Sequence, residues 1–170
     1  MLSKILEKKT CASCKFCCVF SRKSLWEVPN FPIEKLDELK NYAVTSPLFT
    51  KENGALSLHL EQLYKTNSPD EVVPCSFLDE KSGCTLPNEL KPLQCKIWPF
   101  RVIKKDGKNL LVFETTCSAL GSKLTTELCN FAQRELVTPI KKYLATHPYV
   151  SVEYKNGITP DYPVICSLED

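Results

Sequence analysis

Histidine is almost missing from this chain: His59 and His147 are its two copies in 170 residues. A metal site with four protein donors must therefore draw chiefly on other side chains. Glycine is scarce as well, with five residues. Neither a Gly-x-Gly-x-x-Gly turn nor a phosphate loop occurs, so there is little material for a nucleotide cradle. The His-Glu-x-x-His helix of metallopeptidases is absent too. Charge of one sign is not in excess. The formal net charge is +2 and the pI is near 8.0, which offers no electrostatic grip on nucleic acid or anionic lipid. No apolar run approaches the length needed to cross a bilayer. Residues 1–10 are too charged, and their apolar part too short, for a secretory signal. A cytoplasmic protein is expected, with neither membrane nor nucleic acid among its partners.

What the chain does have is cysteine, ten residues of it. In a reducing compartment that density points to metal or redox chemistry; in a secreted chain it would point to disulfides. Cys11, Cys14, Cys17 and Cys18 fall within eight residues. Thiolate is a soft ligand for zinc, copper(I) and iron–sulfur iron, and two-residue gaps let neighbouring sulfurs turn toward one centre. Three cysteines at Cys-x-x-Cys-x-x-Cys spacing match the run that wraps a cubane cluster in bacterial ferredoxins. The doublet Cys17 and Cys18 departs from that run. Adjacent side chains diverge in a strand or a helix, so one of the two sulfurs is expected to serve a different partner.

With 43% hydrophobic and 25% charged residues the composition is that of a globular protein, and 170 residues suit one domain. The expected fold class is α+β: a small single domain, 1–170, of helices and short antiparallel hairpins organised around a cysteine-ligated metal centre. Its cysteine-cluster core would span about 11–120, with a C-terminal helix and strand in 121–170. Residues 1–10 read as a short helix or ordered lead-in. Asn30 suits a helix cap with Pro32 in the first turn, and Ile33, Leu36, Leu39 and Ala43 recur at helical spacing. Alternation over 56–60 predicts a strand, with His59 exposed on it and not a ligand. Residues 66–74 read as a loop. Hairpins are predicted around Gly83 and around Asp106 and Gly107, and one helical turn between Pro87 and Pro92. A long helix is expected from about Thr126, broken or kinked at Pro139, then a strand over 149–154 and an irregular tail.

Four further cysteines stand in marked contexts. Cys75 begins Cys-Ser-Phe-Leu, Cys84 follows Gly83, Cys95 lies in Lys-Pro-Leu-Gln-Cys-Lys-Ile-Trp-Pro-Phe from Lys91, and Cys117 follows the second hairpin. Together with the leading run, these motifs resemble the YkgJ-type cysteine-cluster family over about residues 11–120. That family is described as a zinc- or iron-chelating domain. Its pattern is Cys-x-x-Cys-x-x-Cys-Cys, then Cys-x-Phe-Leu, Gly-Cys, and a segment like Arg-Pro-x-x-Cys-Arg-x-Tyr-Pro-Phe. Lys91 and Lys96 stand where the family usually has arginine, and Trp98 where it often has tyrosine or phenylalanine. Lysine keeps the charge but cannot fork onto a carboxylate.

The candidate ligands are therefore Cys11, Cys14, Cys17, Cys18, Cys75, Cys84, Cys95 and Cys117, enough for one site or two. A grouping that draws on both sets would staple the two halves of the chain and make metal binding part of folding. Lys15, Arg22, Lys96 and Arg101 lie beside these cysteines and would offset thiolate charge. Phe16, Phe20, Phe77, Trp98 and Phe100 would exclude water or serve as ordinary core. Cys129 aligns with Ala132 and Leu136 and reads as a buried helix residue; Cys166 reads likewise as no ligand. The triple spacing favours an iron–sulfur cluster of the 4Fe-4S kind. Zinc is the alternative, because it prefers paired Cys-x-x-Cys units and one half of that arrangement is present. The expected function is redox work, sensing or metal delivery with a protein partner. A structural zinc domain for protein interaction is one alternative. Another is a protein-lysine methyltransferase-like enzyme, by analogy with flagellin lysine N-methylases that share the leading cysteine pattern.

Overall fold

Strand-forming residues in this chain come in short runs, and the strands they build are short. The computed structural model describes residues 7–169. In chain order the helices are α1 (Lys8–Cys14), α2 (Leu36–Lys40), α3 (Leu93–Ile97), α4 (Thr126–Phe131) and α5 (Val137–Leu144). The strands are β1 (Val19–Ser21), β2 (Asn30–Pro32), β3 (Phe49–Glu52), β4 (Ala55–Leu58), β5 (Val72–Pro74), β6 (Leu78–Asp79), β7 (Gly83–Cys84), β8 (Phe100–Lys105), β9 (Lys108–Phe113), β10 (Val152–Glu153) and β11 (Val164–Ser167). This is a small mixed fold of the α+β kind.

The largest sheet has the order β10-β8-β9-β11. Its centre is the β8–β9 hairpin, whose turn residues Asp106 (φ +51°) and Gly107 (φ +76°) are both left-handed. Such a turn follows the twist of the strands it joins, as the Asp-Gly pair predicted. On this sheet rests a helix in which α4 and α5 are joined by a π-helical stretch, Ala132–Leu136. Ala132, Leu136 and Ile140 meet Phe100, Val102, Leu111 and Phe113 in one buried cluster. A second cluster gathers Phe31, Leu39, Leu56 and Phe77 around the β2-β4-β3 sheet.

Several expectations need correction. Asn30 does not cap a helix. It lies in β2, paired with Ser57, and its Nδ2 donates to the Tyr149 carbonyl at 3.3 Å. The helical spacing from Ile33 is met by a 3-10 turn, Ile33–Lys35, and the brief α2; the pull of β4 on Phe31 outweighs helix propensity there. Within the supposed loop, β5 pairs with β1. The turn expected between Pro87 and Pro92 is followed by α3, so Cys95 sits on a helix. Pro139 neither breaks nor ends the long helix. It falls in the first turn of α5, where its missing N–H and its ring clash with a preceding carbonyl are absorbed by the wider π turn just before it. Of residues 149–154 only β10 is strand, and it runs parallel to β8. The tail is regular: β11 pairs antiparallel with β9. The lead-in predicted for residues 1–10 lies mostly outside the described residues; from Lys8 onward the chain is α1.

Among the described residues no helix is long and apolar enough to cross a membrane.

Candidate metal centre

The leading cysteine run folds as two tight turns in succession. Cys11 and Cys14 lie three residues apart in α1, on neighbouring positions of one face. Lys15 then takes a left-handed conformation (φ +57°), its N–H bonded to the Cys11 carbonyl at 3.0 Å. This closes the helix and starts the 3-10 turn Phe16–Cys18. The reversal brings Cys17 and Cys18 back with their sulfurs 3.9 Å apart. So the doublet does not splay its thiols.

Other segments reach the same place by backbone pairing. The β1–β5 ladder continues in a bond from the Cys75 N–H to the Cys18 carbonyl at 2.8 Å. Cys84 sits in β7 opposite Leu78. Gly83 beside it packs against α1 so closely that a Cβ would lie 3.0 Å from both Cα and Cβ of Ala12. Cys117 is buried, and its neighbour Ser118 places Oγ 3.3 Å from the Cys14 sulfur. Cys95 lies on α3, between Leu93 and Ile97 of the helix-on-sheet core.

A cavity of about 120 Å³ opens between these elements. Cys11, Cys17, Cys18, Cys84 and Cys95 line it, together with Phe20, Trp98, Glu27, Gln94, Lys91 and Arg101. Its walls come from both hydrophobic clusters: Phe20 belongs to one, and α3 is anchored in the other. Cys14, Cys75 and Cys117 do not line the cavity, yet their charges reach the thiols that border it. All ten cysteines are free thiols.

The electrostatics bind this group together. Burial pushes the Cys95 thiol well up, and negative charge on Cys75, Cys17 and Cys84 adds to the push while Lys91 opposes it. Cys75 is pushed up to about 12, mainly by burial, with Cys84 and Cys17 adding to it. Cys17 is raised by its contact with Cys18 first and by burial second. Cys11 is raised by burial, then by Cys17, Cys117 and Cys14. Thiols that repel one another as anions in a shielded space are stable as neutral groups, or as anions around a shared cation. The donor chemistry therefore fits a thiophilic metal. The side chains as they stand do not converge on a point: among the described residues, no three of the His, Cys, Asp or Glu side chains form a group able to hold a metal ion.

The supporting residues differ from those the sequence suggested. Lys15 donates to the Glu80 carbonyl, and Arg22 turns to the Thr66 carbonyl, Glu71 and the Tyr64 ring. Neither lines the cavity. Lys96 is part-buried, and its ammonium is held below the usual lysine range by that burial. The cations on the cavity wall are Lys91 and Arg101. Of the aromatics, Phe20 and Trp98 are in the wall, Phe77 and Phe100 are core, and Phe16 is half-exposed and outside the wall. Sequence reasoning missed Glu27 and Gln94. Glu27 follows Trp26 in a short apolar patch with no motif to mark it. The Gln94 Oε1 is buried without a hydrogen-bond partner; its place beside Cys95 was the one available signal. His59 stands near Glu61, 3.8 Å away, and takes no part.

The tight approach of Gly83 to Ala12 carries a prediction. Gly83 and Gly54 share nearly the same left-handed backbone, φ +77° and +79°, but a Cβ at Gly54 would meet nothing within 4 Å. Gly54→Ala is expected to lose about 1 kcal/mol from backbone strain alone. Gly83→Ala is expected to lose about 2–3 kcal/mol, since strain and overpacking against α1 combine. Urea midpoints of the two variants give the comparison, and equal losses would mean that the α1–β7 contact carries no weight.

Compared with protein-family models, curated proteins and solved structures, the chain matches none.

Proposed function

We propose that this protein binds an iron–sulfur cluster, of the 4Fe-4S kind, through cysteine thiolates drawn from both the leading run and later parts of the chain, and uses it for electron transfer, redox sensing or metal delivery. The observation that carries the reading is that Cys11, Cys17 and Cys18 of the leading run border one cavity with the distant Cys84 and Cys95, with Cys14, Cys75 and Cys117 within reach of their charge. A 4Fe-4S cluster takes four thiolates, so four of these eight residues would hold the group, which when bound supplies one-electron chemistry. The chain's own residues do the rest. Phe20 and Trp98 keep water from the cavity wall, and Lys91 places positive charge beside it, which favours an anionic thiolate-bound centre, while the charge of Arg101 is taken up by Glu27 and Glu114. The resemblance of the cysteine motifs to the YkgJ-type family, described as zinc- or iron-chelating, supports a metal at this place.

Anaerobic purification with iron and acid-labile sulfide analysis is the test. Iron and sulfide in equal amounts, with visible absorption that bleaches on reduction, is the expected result. Zinc without sulfide would replace the reading with a structural zinc domain. Neither metal, together with heat released on adding S-adenosylmethionine, would favour a methyltransferase-like enzyme.

Loading should also move protons. In the metal-free fold the raised thiols are protonated at neutral pH, Cys75 up to about pH 12. Binding has to expel those protons, so apparent affinity is expected to climb as pH rises. A titration of the apoprotein with cobalt(II) in weak buffer, followed by a pH indicator, should show acidification. Binding without acidification would mean that the clustered thiols are not the ligands.

A further inference from the structure

Two cysteines stand apart from the cavity, and the fold brings them to one interface. Cys129 lies on α4, in register with Ala132 and Leu136, which are buried against the sheet. Cys166 lies on β11, the strand at the sheet's edge, held by β9 alone. The register of β11 shifts between Val164 and Cys166. Two residues beyond Cys166, Leu168 is buried in the cluster that includes Ala132 and Leu136, so Cys166 and Leu168 share the face of the strand turned toward the helix. Cys166 itself packs against that cluster. Just past it, Lys141 of α5 donates to the Glu169 carbonyl at 3.1 Å, fastening tail to helix. Burial raises the Cys166 thiol first; charge on Cys129 adds to it and Lys141 opposes it. Both are free and part-exposed, within reach of a small oxidant.

We propose that Cys129 and Cys166 are a redox-responsive thiol pair, distinct from the eight-cysteine region, which closes to a disulfide on exposure to a peroxide. One thiolate attacks a peroxide oxygen, the O–O bond breaks, and a sulfenic acid and hydroxide result. The second thiolate then attacks that sulfur and displaces hydroxide. In sum two thiols lose two electrons and two protons, and hydrogen peroxide becomes two waters. A dithiol reductant reverses the bond. The product ties the edge strand β11 to α4, so the strand gains a second attachment besides its ladder to β9.

Hydrogen peroxide added to the reduced, full-length protein tests this. Tryptic mass spectrometry should find a Cys129–Cys166 linked peptide 2 Da lighter than the sum of its parts, as expected for loss of two hydrogens. Hydrogen exchange at the amides of β11 should slow by about tenfold or more on oxidation. Cys129→Ser and Cys166→Ser should each abolish the linked peptide while leaving iron and sulfide content as in the parent protein. Cys166 recovered as sulfinic acid, or joined to one of the other eight cysteines, would overturn the pairing. So would loss of bound metal in Cys129→Ser, since Cys129 would then belong to the first site.

Discussion

Replacing Arg101 with methionine is expected to destabilise the fold by about 3–5 kcal/mol, the range for a buried ion pair stripped of one partner. The reason is local and specific. Arg101 is buried on β8, with Nη2 3.1 Å from Glu27 Oε2 and Nε 3.4 Å from Glu114 Oε2. Its guanidinium also lies over the Trp98 and Trp26 rings, 4.6 and 5.2 Å from their centres. Glu114 is itself buried, accepting from the Thr116 hydroxyl at 2.9 Å. Burial holds the Glu27 carboxyl above the usual range; Arg101 pulls it down and Glu114 pushes it up. Remove the guanidinium and two carboxylates face each other with no cation between them. Small domains are stable by about 5–15 kcal/mol, so the loss is a large share of the total. Urea unfolding measures it. Arg101→Lys should recover only part, because an ammonium cannot serve two carboxylates and two rings as a planar fork does. Adding Glu27→Gln to the methionine variant should return stability. A loss below about 1 kcal/mol would show that the carboxylates find water or protons without difficulty.

Phe77→Ala is the second large effect, about 3–5 kcal/mol. The ring is fully buried, 5.6 Å from Phe31 and 6.5 Å from Phe49, centre to centre. Its carbonyl accepts from the Thr85 N–H at 2.9 Å and the Thr85 hydroxyl at 3.0 Å. Truncation leaves a cavity that strands this short cannot close. Phe77→Leu, which keeps most of the volume, should cost less than half as much. The damage should reach the thiols. Cys75 and Cys84 pack against the same cluster, so the alanine variant is expected to react faster with a thiol-modifying reagent at those two positions. Unchanged reactivity would separate the aromatic core from the cysteine region.

How much of this could be read from the chain depends on how local each cause was. Asp106 and Gly107 dictate their own turn, and the hairpin follows. The helix from Thr126 was legible because its apolar stripe is long; the structure adds a cap, Thr125 accepting from the Leu128 N–H at 3.2 Å. Asn30 misled because its cap chemistry is equally satisfied by a strand pairing with Ser57, which a linear reading does not contain. The tail was unreadable for the same reason: β11 exists by virtue of β9. At the candidate site, the residue types announced thiolate chemistry, but the meeting of Cys95 with Cys11 across one cavity rests on α3 being anchored in the helix-on-sheet core. Arg22 and Arg101 look alike in sequence beside their cysteines. Only packing decides that one is drawn off by Glu71 while the other is held between Glu27 and Glu114.

The π turn has a geometric outcome of its own. Ala132, Leu136 and Ile140 repeat every fourth residue and are all fully shielded. On an unbroken α-helix such a repeat precesses by roughly 40° per step, from 3.6 residues per turn, and by the third member the side chain would be leaving the sheet. A wider loop of backbone between 132 and 136 takes that precession back. The result is a straight apolar keel where an ideal helix would have carried a spiral one.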